Sequence, residues 1–211
     1  MPQPDLIQQL RAARVVPVVR TGSAAHAAIA VDRLRDAGIR IFEITMTIPD
    51  AIPLIARLSQ QKDLLVGAGT VPDAATARAC LDAGARFLVA PWVDPTLSAP
   101  ARQAGAALML GALTPTEVRA ALAAGADAVK IFPASSAGGP AHIKALASVF
   151  PGVAFCPTGG VEPGNVAAYL KAGAAFVGIG GALVDETRIA AGDRAAIQAA
   201  ARSVLSSGSA A

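Results

Sequence analysis

The chain has 211 residues and a formal net charge of +3, and 54% of its residues are hydrophobic although only 4% are aromatic. This length suits one domain over residues 1–211 with a single well-buried core. The mild positive charge is compatible with an anionic small-molecule partner, and the absence of any Lys/Arg cluster argues against nucleic acid.

Membrane insertion and export are not indicated by the sequence either. Residues 1–10 include Gln, Asp and Pro where a signal peptide would carry an apolar segment, and no apolar run reaches the roughly 18 residues of a membrane span. Cys80 and Cys156 have neither metal-ligand spacing nor a partner motif, so both are expected to be buried thiols. We therefore expect a cytoplasmic protein that does not bind membranes.

After a short helix predicted at about residues 6–13, the chain repeats one unit: an apolar strand, a turn, a helix and a glycine. Glycine just past a helix adopts the left-handed conformation at little cost, which explains its recurrence there. The eight predicted strands cover residues 15–20, 40–45, 64–69, 87–90, 107–110, 128–132, 153–157 and 176–179.

Eight strands alternating with helices are the pattern of an α/β protein with a (β/α)8 fold, a TIM barrel, here with a short extra N-terminal helix. A doubly wound open sheet is the alternative. That fold would carry a glycine-rich dinucleotide loop after the first strand, and Arg20-Thr21-Gly22-Ser23 is not such a loop. No linker or second domain is indicated, and the tail from about residue 203 is expected to be frayed.

One lysine lies inside an apolar predicted strand. Side chains alternate along a strand, so Lys130 and Phe132 share one face while Val129 and Ile131 share the other. A cation in such a run is costly unless it is paired or neutral. The commoner interpretation is that Lys130 reaches water from a strand end. The alternative is a desolvated amine that attacks a carbonyl and forms a Schiff base.

Glu43 is the only glutamate within a predicted strand, and it lies between apolar Phe42 and Ile44. In a TIM barrel the chemistry lies at the C-terminal ends of the strands. An amine and a carboxyl group that converge on one cavity supply the nucleophile and the proton carrier of Schiff-base chemistry. This pairing favours catalysis by Lys130 and Glu43 over the surface interpretation.

Glycine-rich turns follow the last two predicted strands. Thr158-Gly159-Gly160 precedes a helix that starts near Pro163, and Gly180-Gly181 follows strand eight. Glycines expose backbone N–H groups, and these two loops are where TIM barrels commonly bind phosphate. The two turns together predict a phosphate-binding end of the site.

Four motifs carry a family resemblance: Glu43-Ile44-Thr45-Met46-Thr47, Gly67-Ala68-Gly69-Thr70-Val71, Lys130-Ile131-Phe132-Pro133-Ala134 and Pro157-Thr158-Gly159-Gly160-Val161. They resemble the signatures of 2-keto-3-deoxy-6-phosphogluconate (KDPG) aldolases, the class I family that also acts on 4-hydroxy-2-oxoglutarate (KHG). The resemblance implies a homotrimer, a lysine Schiff base with pyruvate, and neither metal nor cofactor. It also implies cleavage of KDPG to pyruvate and glyceraldehyde 3-phosphate.

The resemblance also assigns roles to individual residues. Lys130 corresponds to the Schiff-base lysine and Glu43 to the general acid and base. Thr70, Pro91 and Phe132 correspond to residues that shape the pyruvate pocket. Gly159 and Gly160 correspond to residues whose backbone contacts the phosphate.

This chain departs from the family pattern at two positions. Some members have an arginine for the substrate carboxylate where this chain has Thr47, and here Arg20 is the available cation. Many members have a phosphate-contacting serine where this chain has Gly181, so a hydroxyl group is missing at that position.

Three other functions compete with the KDPG aldolase. A phosphosugar isomerase or synthase barrel would share the phosphate loops but needs no lysine within a strand. An aldolase for the galactonate epimer differs only in the stereochemistry at C4, which the sequence does not resolve. A non-catalytic phosphoester-binding barrel would need neither Lys130 nor Glu43.

Overall fold

The computed structural model describes residues 3–209, and its eight strands belong to one parallel sheet. The strands are β1 (Val15–Val19), β2 (Ile41–Thr45), β3 (Leu65–Gly69), β4 (Phe87–Val89), β5 (Ala107–Ala112), β6 (Ala128–Ile131), β7 (Phe155–Pro157) and β8 (Val177–Ile179). The helices are α1 (Gln3–Ala13), α2 (Ala24–Asp36), α3 (Ala51–Ser59), α4 (Ala74–Asp82), α5 (Ser98–Ala104), α6 (Pro115–Ala123), α7 (Gly139–Val149), α8 (Val166–Lys171), α9 (Glu186–Ala190) and α10 (Arg194–Ser209). A 3₁₀ turn, Pro95–Leu97, precedes α5.

The sheet closes because the last strand pairs with the first. Its order is β7-β6-β5-β4-β3-β2-β1-β8, and Val15 of β1 stands opposite Val177 of β8. Between β7 and β8 the contact is reduced to single bridges, one of which joins Thr158 to Gly178. The predicted TIM barrel with an extra N-terminal helix is therefore confirmed, with its seam between β7 and β8.

Apart from Glu43, Thr45 and Lys130, the strands carry apolar side chains on both faces, because both faces are covered. One hydrophobic cluster lies between the strands and the surrounding helices, and a second fills the N-terminal end of the barrel. Leu6 and Leu10, one helical turn apart on α1, join this second cluster together with Phe87. A Cβ on Gly67 would lie 2.2 Å from the ring of Phe87, so glycine at that position leaves the ring its space. The lower end of the barrel is thereby closed by apolar side chains.

The C-terminal segment is helical, which corrects the expectation of a frayed tail from residue 203. α10 extends to Ser209 and packs against α2, α8 and α9. Val204 is completely buried, and Arg14 donates a hydrogen bond to the carbonyl of Gly208. The serines and the glycine of this segment have weak helix propensity, which is why the sequence predicted a frayed tail. The burial of one side of the helix stabilises it by more than that weak propensity costs. Residues 210 and 211 lie outside the described part of the chain.

Among residues 3–209, no helix combines the length and the apolar character that crossing a bilayer requires. The two cysteines are free and buried, as the sequence predicted.

The helical tail makes a stability prediction. We expect Val204→Asp to lower the free energy of unfolding by about 3 kcal/mol, because it removes a buried side chain and buries a polar one. Ser203→Asp is the matched control, since Ser203 is exposed on the same helix, and it should change stability by less than about 0.5 kcal/mol. Urea unfolding of both variants measures the difference. If both variants change the free energy of unfolding by the same small amount, the segment is frayed.

Candidate active site

The centre of the site is a buried pair of an amine and a carboxylate. Lys130 Nζ, on β6, lies 3.2 Å from Glu43 Oε1, on β2, and donates a hydrogen bond to it. Only 4% of the lysine side chain and 5% of the glutamate side chain are exposed. Lys130 therefore does not reach water at a strand end, and the surface interpretation of this residue is excluded.

Two glycines on the adjacent strands allow close packing around this pair. Gly69, on β3, stands beside Thr45, and a Cβ added to it would lie 2.1 Å from Glu43 Oε1. Gly111, on β5, is the register partner of Lys130, and a Cβ there would meet the backbone of Pro91 at 2.1 Å. Any side chain at these positions would displace the glutamate or the loop after β4.

Beyond the pair, a cavity of about 620 Å³ opens at the C-terminal ends of the strands, within the size range of small-molecule sites. It is lined by Val18, Arg20, Thr47, Thr70, Pro91, Lys130, Phe132, Thr158, Gly159, Gly160, Val161, Glu162, Gly180, Gly181, Ala182 and Val184. Eight of the nine predicted site residues are in this lining. The ninth, Glu43, lies behind Lys130.

Arg20 and Thr70 stand together on one side of the cavity. The Arg20 guanidinium donates a long hydrogen bond, 3.5 Å, to Thr70 Oγ1. Thr70 has a φ of 54°, a conformation that a β-branched residue adopts only under constraint and that is common at functional sites. The residue whose hydroxyl accepts the hydrogen bond of Arg20 therefore has a strained backbone.

The ring of Phe132 forms another side. Its centroid lies 5.7 Å from Lys130 Nζ, and a Cβ on Gly159 would lie 3.3 Å from the ring. The ring is therefore packed between the lysine and the loop after β7. It lines the cavity beside the amine.

The loop after β7 is held by a side chain that the sequence analysis did not select. Asn165 Oδ1 accepts a hydrogen bond from the Glu162 main-chain N–H at 2.9 Å, and its Nδ2 donates to the Gly160 carbonyl at 3.0 Å. Gly160 has a φ of +72°, and a Cβ there would meet Ser135 Oγ at 2.0 Å. Asn165 therefore fixes the turn that exposes the glycine backbone to the cavity.

Two further residues lie at the site although the sequence did not indicate them as part of it: Glu162 and Cys156. Glu162 adds an exposed carboxylate to the mouth of the cavity, next to the two glycines. Cys156 is the register partner of Lys130 on β7, and burial raises the pKa of its thiol to about 12. The thiol therefore stays protonated near neutral pH, and the amine has no thiolate beside it as a competing nucleophile.

Comparison with known proteins identifies the family. The family profile described as "KDPG and KHG aldolase" matches residues 6–200. The chain is 38% identical over 161 residues to the 2-dehydro-3-deoxy-phosphogluconate aldolase of Pseudomonas aeruginosa, covering 76% of this chain and 73% of the relative. It is 31% identical over 192 residues to the KHG/KDPG aldolase of Escherichia coli, covering 90% of each.

A solved structure agrees with this relationship. The KDPG aldolase of Legionella pneumophila, which holds pyruvate as a covalent carbinolamine intermediate, superposes with a TM-score of 0.85 at 32% identity. The match covers 94% of this chain and 97% of that one. The chain therefore belongs to the KDPG and KHG aldolase family, whose members are carbon–carbon lyases.

Proposed function

We propose that the protein is a class I aldolase that cleaves KDPG to pyruvate and glyceraldehyde 3-phosphate through a Schiff base on Lys130. The observation that carries this proposal is the buried contact of 3.2 Å between Lys130 and Glu43 at the inner end of the cavity. A non-catalytic barrel needs neither a buried amine that lines a ligand-sized cavity nor a carboxylate in contact with that amine. Family membership supports the same reaction.

The first half of the reaction forms the covalent intermediate. Glu43 accepts the proton that the Lys130 amine must lose, and the amine then adds to the C2 ketone of the substrate. Glu43 returns a proton to the resulting carbinolamine hydroxyl, which leaves as water and gives the iminium. One carboxyl group within hydrogen-bond distance of the nitrogen serves both transfers.

The second half breaks the carbon–carbon bond. The iminium accepts the electron pair of the C3–C4 bond as an enamine, while the C4 hydroxyl loses its proton to Glu43, directly or through a water, and becomes the aldehyde. Protonation of the enamine at C3 and hydrolysis then release pyruvate and free Lys130. The same steps convert KHG to pyruvate and glyoxylate.

The remaining lining residues hold the two ends of the substrate. Arg20 is suited to the C1 carboxylate because a guanidinium offers two parallel N–H groups, and Thr70 adjoins it. Pro91 and Phe132 would enclose the pyruvate moiety. At the outer end the proposed phosphate contacts are the backbones of Gly159, Gly160 and Gly181.

We also infer a homotrimer and a cytoplasmic location. The trimer is supported by the family resemblance. The cytoplasm is supported by two buried cysteines that remain free thiols. The aldolase for the galactonate epimer remains the second candidate, and cleavage rates on both epimers distinguish the two.

Trapping of the covalent intermediate tests the central claim. Incubation with pyruvate and borohydride should add one reduced pyruvyl group per chain, located on Lys130 by peptide mass spectrometry. Lys144→Met, which removes an exposed lysine of α7, should keep the adduct, whereas Lys130→Met should lose it. An unmodified wild-type chain, or an adduct on Lys144, would refute the assignment.

Glu43→Gln tests the proton carrier. Glutamine keeps the shape and the hydrogen-bond reach of the side chain but cannot carry a proton, so kcat should fall about 10²- to 10⁴-fold. Pyruvate should still bind, and its adduct should form slowly. Steady-state rates and a thermal unfolding scan of the same preparation check both points. A folded variant with wild-type turnover would show that Glu43 is a structural carboxylate.

Arg20 and Gly181 can be separated by substrate choice. Arg20→Ala should lower kcat/KM about 10- to 150-fold for every 2-oxo acid substrate, because each has the carboxylate. Arg20→Lys should also be impaired. Gly181→Ser has open space for its side chain and should change only the rates for phosphorylated substrates. If Arg20→Ala harms only phosphorylated substrates, Arg20 binds the phosphate instead.

A further inference from the structure

One carboxylate joins the two loops on either side of the β8–β1 contact. Glu186, the first residue of α9, accepts the main-chain N–H of Gly22 with both oxygens, at 2.9 and 3.0 Å. Its Oε1 also lies 2.8 Å from His26 Nδ1 on α2. A Cβ at Gly22 would lie 3.2 Å from the same oxygen, so glycine allows this close approach.

The contact does not serve the helix to which Glu186 belongs. Asp185 already caps α9, since its Oδ1 accepts the N–H groups of Thr187 and Arg188. Glu186 instead reaches across 164 positions in the sequence to the loop after β1. The hydrogen bond with His26, followed by that with Gly22, lowers the pKa of the Glu186 carboxyl, so near neutral pH the group is ionised. Hydrogen bonds to an ionised acceptor are the stronger kind.

Both joined loops contribute to the cavity. Arg20 lies two residues before Gly22, and Gly180 and Gly181 lie in the loop that leads to Glu186. The Arg20 side chain is exposed, and its hydrogen bond to Thr70 is 3.5 Å long, so its own contacts hold it weakly. The backbone of Arg20 is held on its N-terminal side by β1, and Glu186 holds the same loop two residues further along, at Gly22.

We propose that Glu186 is a positioning residue: it fixes the β1–α2 loop against the β8–α9 loop so that Arg20 meets the carboxylate of a 2-oxo acid. This inference rests on the proposed role of Arg20. The hydrogen bonds between Glu186 and Gly22, here called the loop link, join the loop that carries Arg20 to the loop that carries Gly181. The loop link therefore also sets the distance between the two anion-binding ends of the cavity.

Loss of the loop link should weaken substrate binding more than chemistry. We expect Glu186→Ala to lower kcat/KM for KHG and KDPG by about 5- to 20-fold, mostly through KM, because a misplaced cation costs part of its charge-assisted bond. Glu186→Gln keeps one acceptor oxygen for Gly22, so its loss should be only about 2- to 3-fold. Lys130 and Glu43 are untouched, so kcat should change less than about 2-fold.

The decisive measurement is a double-mutant cycle with Arg20. If Glu186 acts through Arg20, then Glu186→Ala should cause no further loss of kcat/KM in the Arg20→Ala background. Glu117→Ala is the matched control, because Glu117 also accepts two loop N–H groups, those of Leu113 and Thr114, which do not line the cavity. It should leave KM unchanged.

Each outcome bears on the inference separately from the proposed function. An equal loss with and without Arg20, or no loss in wild type, overturns the positioning role even if pyruvate is still trapped on Lys130. A KM effect as large for Glu117→Ala would show a general loss of stability instead and would also overturn it. Failure of wild-type trapping, by contrast, overturns the proposed function and leaves any coupling between Glu186 and Arg20 standing.

Discussion

The burial of an amine and a carboxylate side by side is the constraint on which the rest of this barrel depends. Removing two charges from water is costly, and the contact between Lys130 and Glu43 offsets that cost only while both partners are present. Breaking such a pair typically costs about 3–5 kcal/mol. The barrel therefore has to place β2 and β6 so that the two side chains meet across its interior. The same geometry that satisfies the charges places the carboxylate that we propose as proton carrier beside the amine that we propose as nucleophile.

The surrounding structure follows from this requirement. Below the pair, α1 and the apolar cluster close the barrel, so that the polar groups are open to ligand only from the cavity side. Beside the pair, glycine at positions 69 and 111 leaves the space that Glu43 and the loop after β4 occupy. Above it, strained and glycine-rich loops carry the groups that we assign to the two ends of the substrate. The strands thus hold the groups to which we assign the chemistry, and the loops hold those to which we assign substrate recognition.

Much of this could be predicted from the sequence, because it depends on local patterns. Apolar strands followed by helices and glycines predicted the barrel, and the alternation of side chains placed Lys130 and Phe132 on one cavity. What local patterns could not reveal are contacts between distant segments. The carboxylate of Glu186 meets Gly22 only because β8 lies beside β1, and Glu162 lines the same cavity as Arg20 only because the loops after β7 and β1 meet at one end of the barrel. The helical end of α10 was missed for the same reason, since its buried contacts are with α2 and α8.

The separation of Lys130 and Glu43 by 87 positions has a consequence for the synthesis of the protein. A ribosome that has released the chain only as far as β5 has exposed Glu43 without its cation, and β1 still lacks its neighbour β8. Domains fold as units during synthesis, and unpaired strand edges in partial chains favour aggregation. The growing chain must therefore wait for β6 before the carboxylate has its partner, and for β8 before β1 is paired and the sheet can close. The active-site pair and the protection of the strand edge are both completed late in synthesis, the pair first.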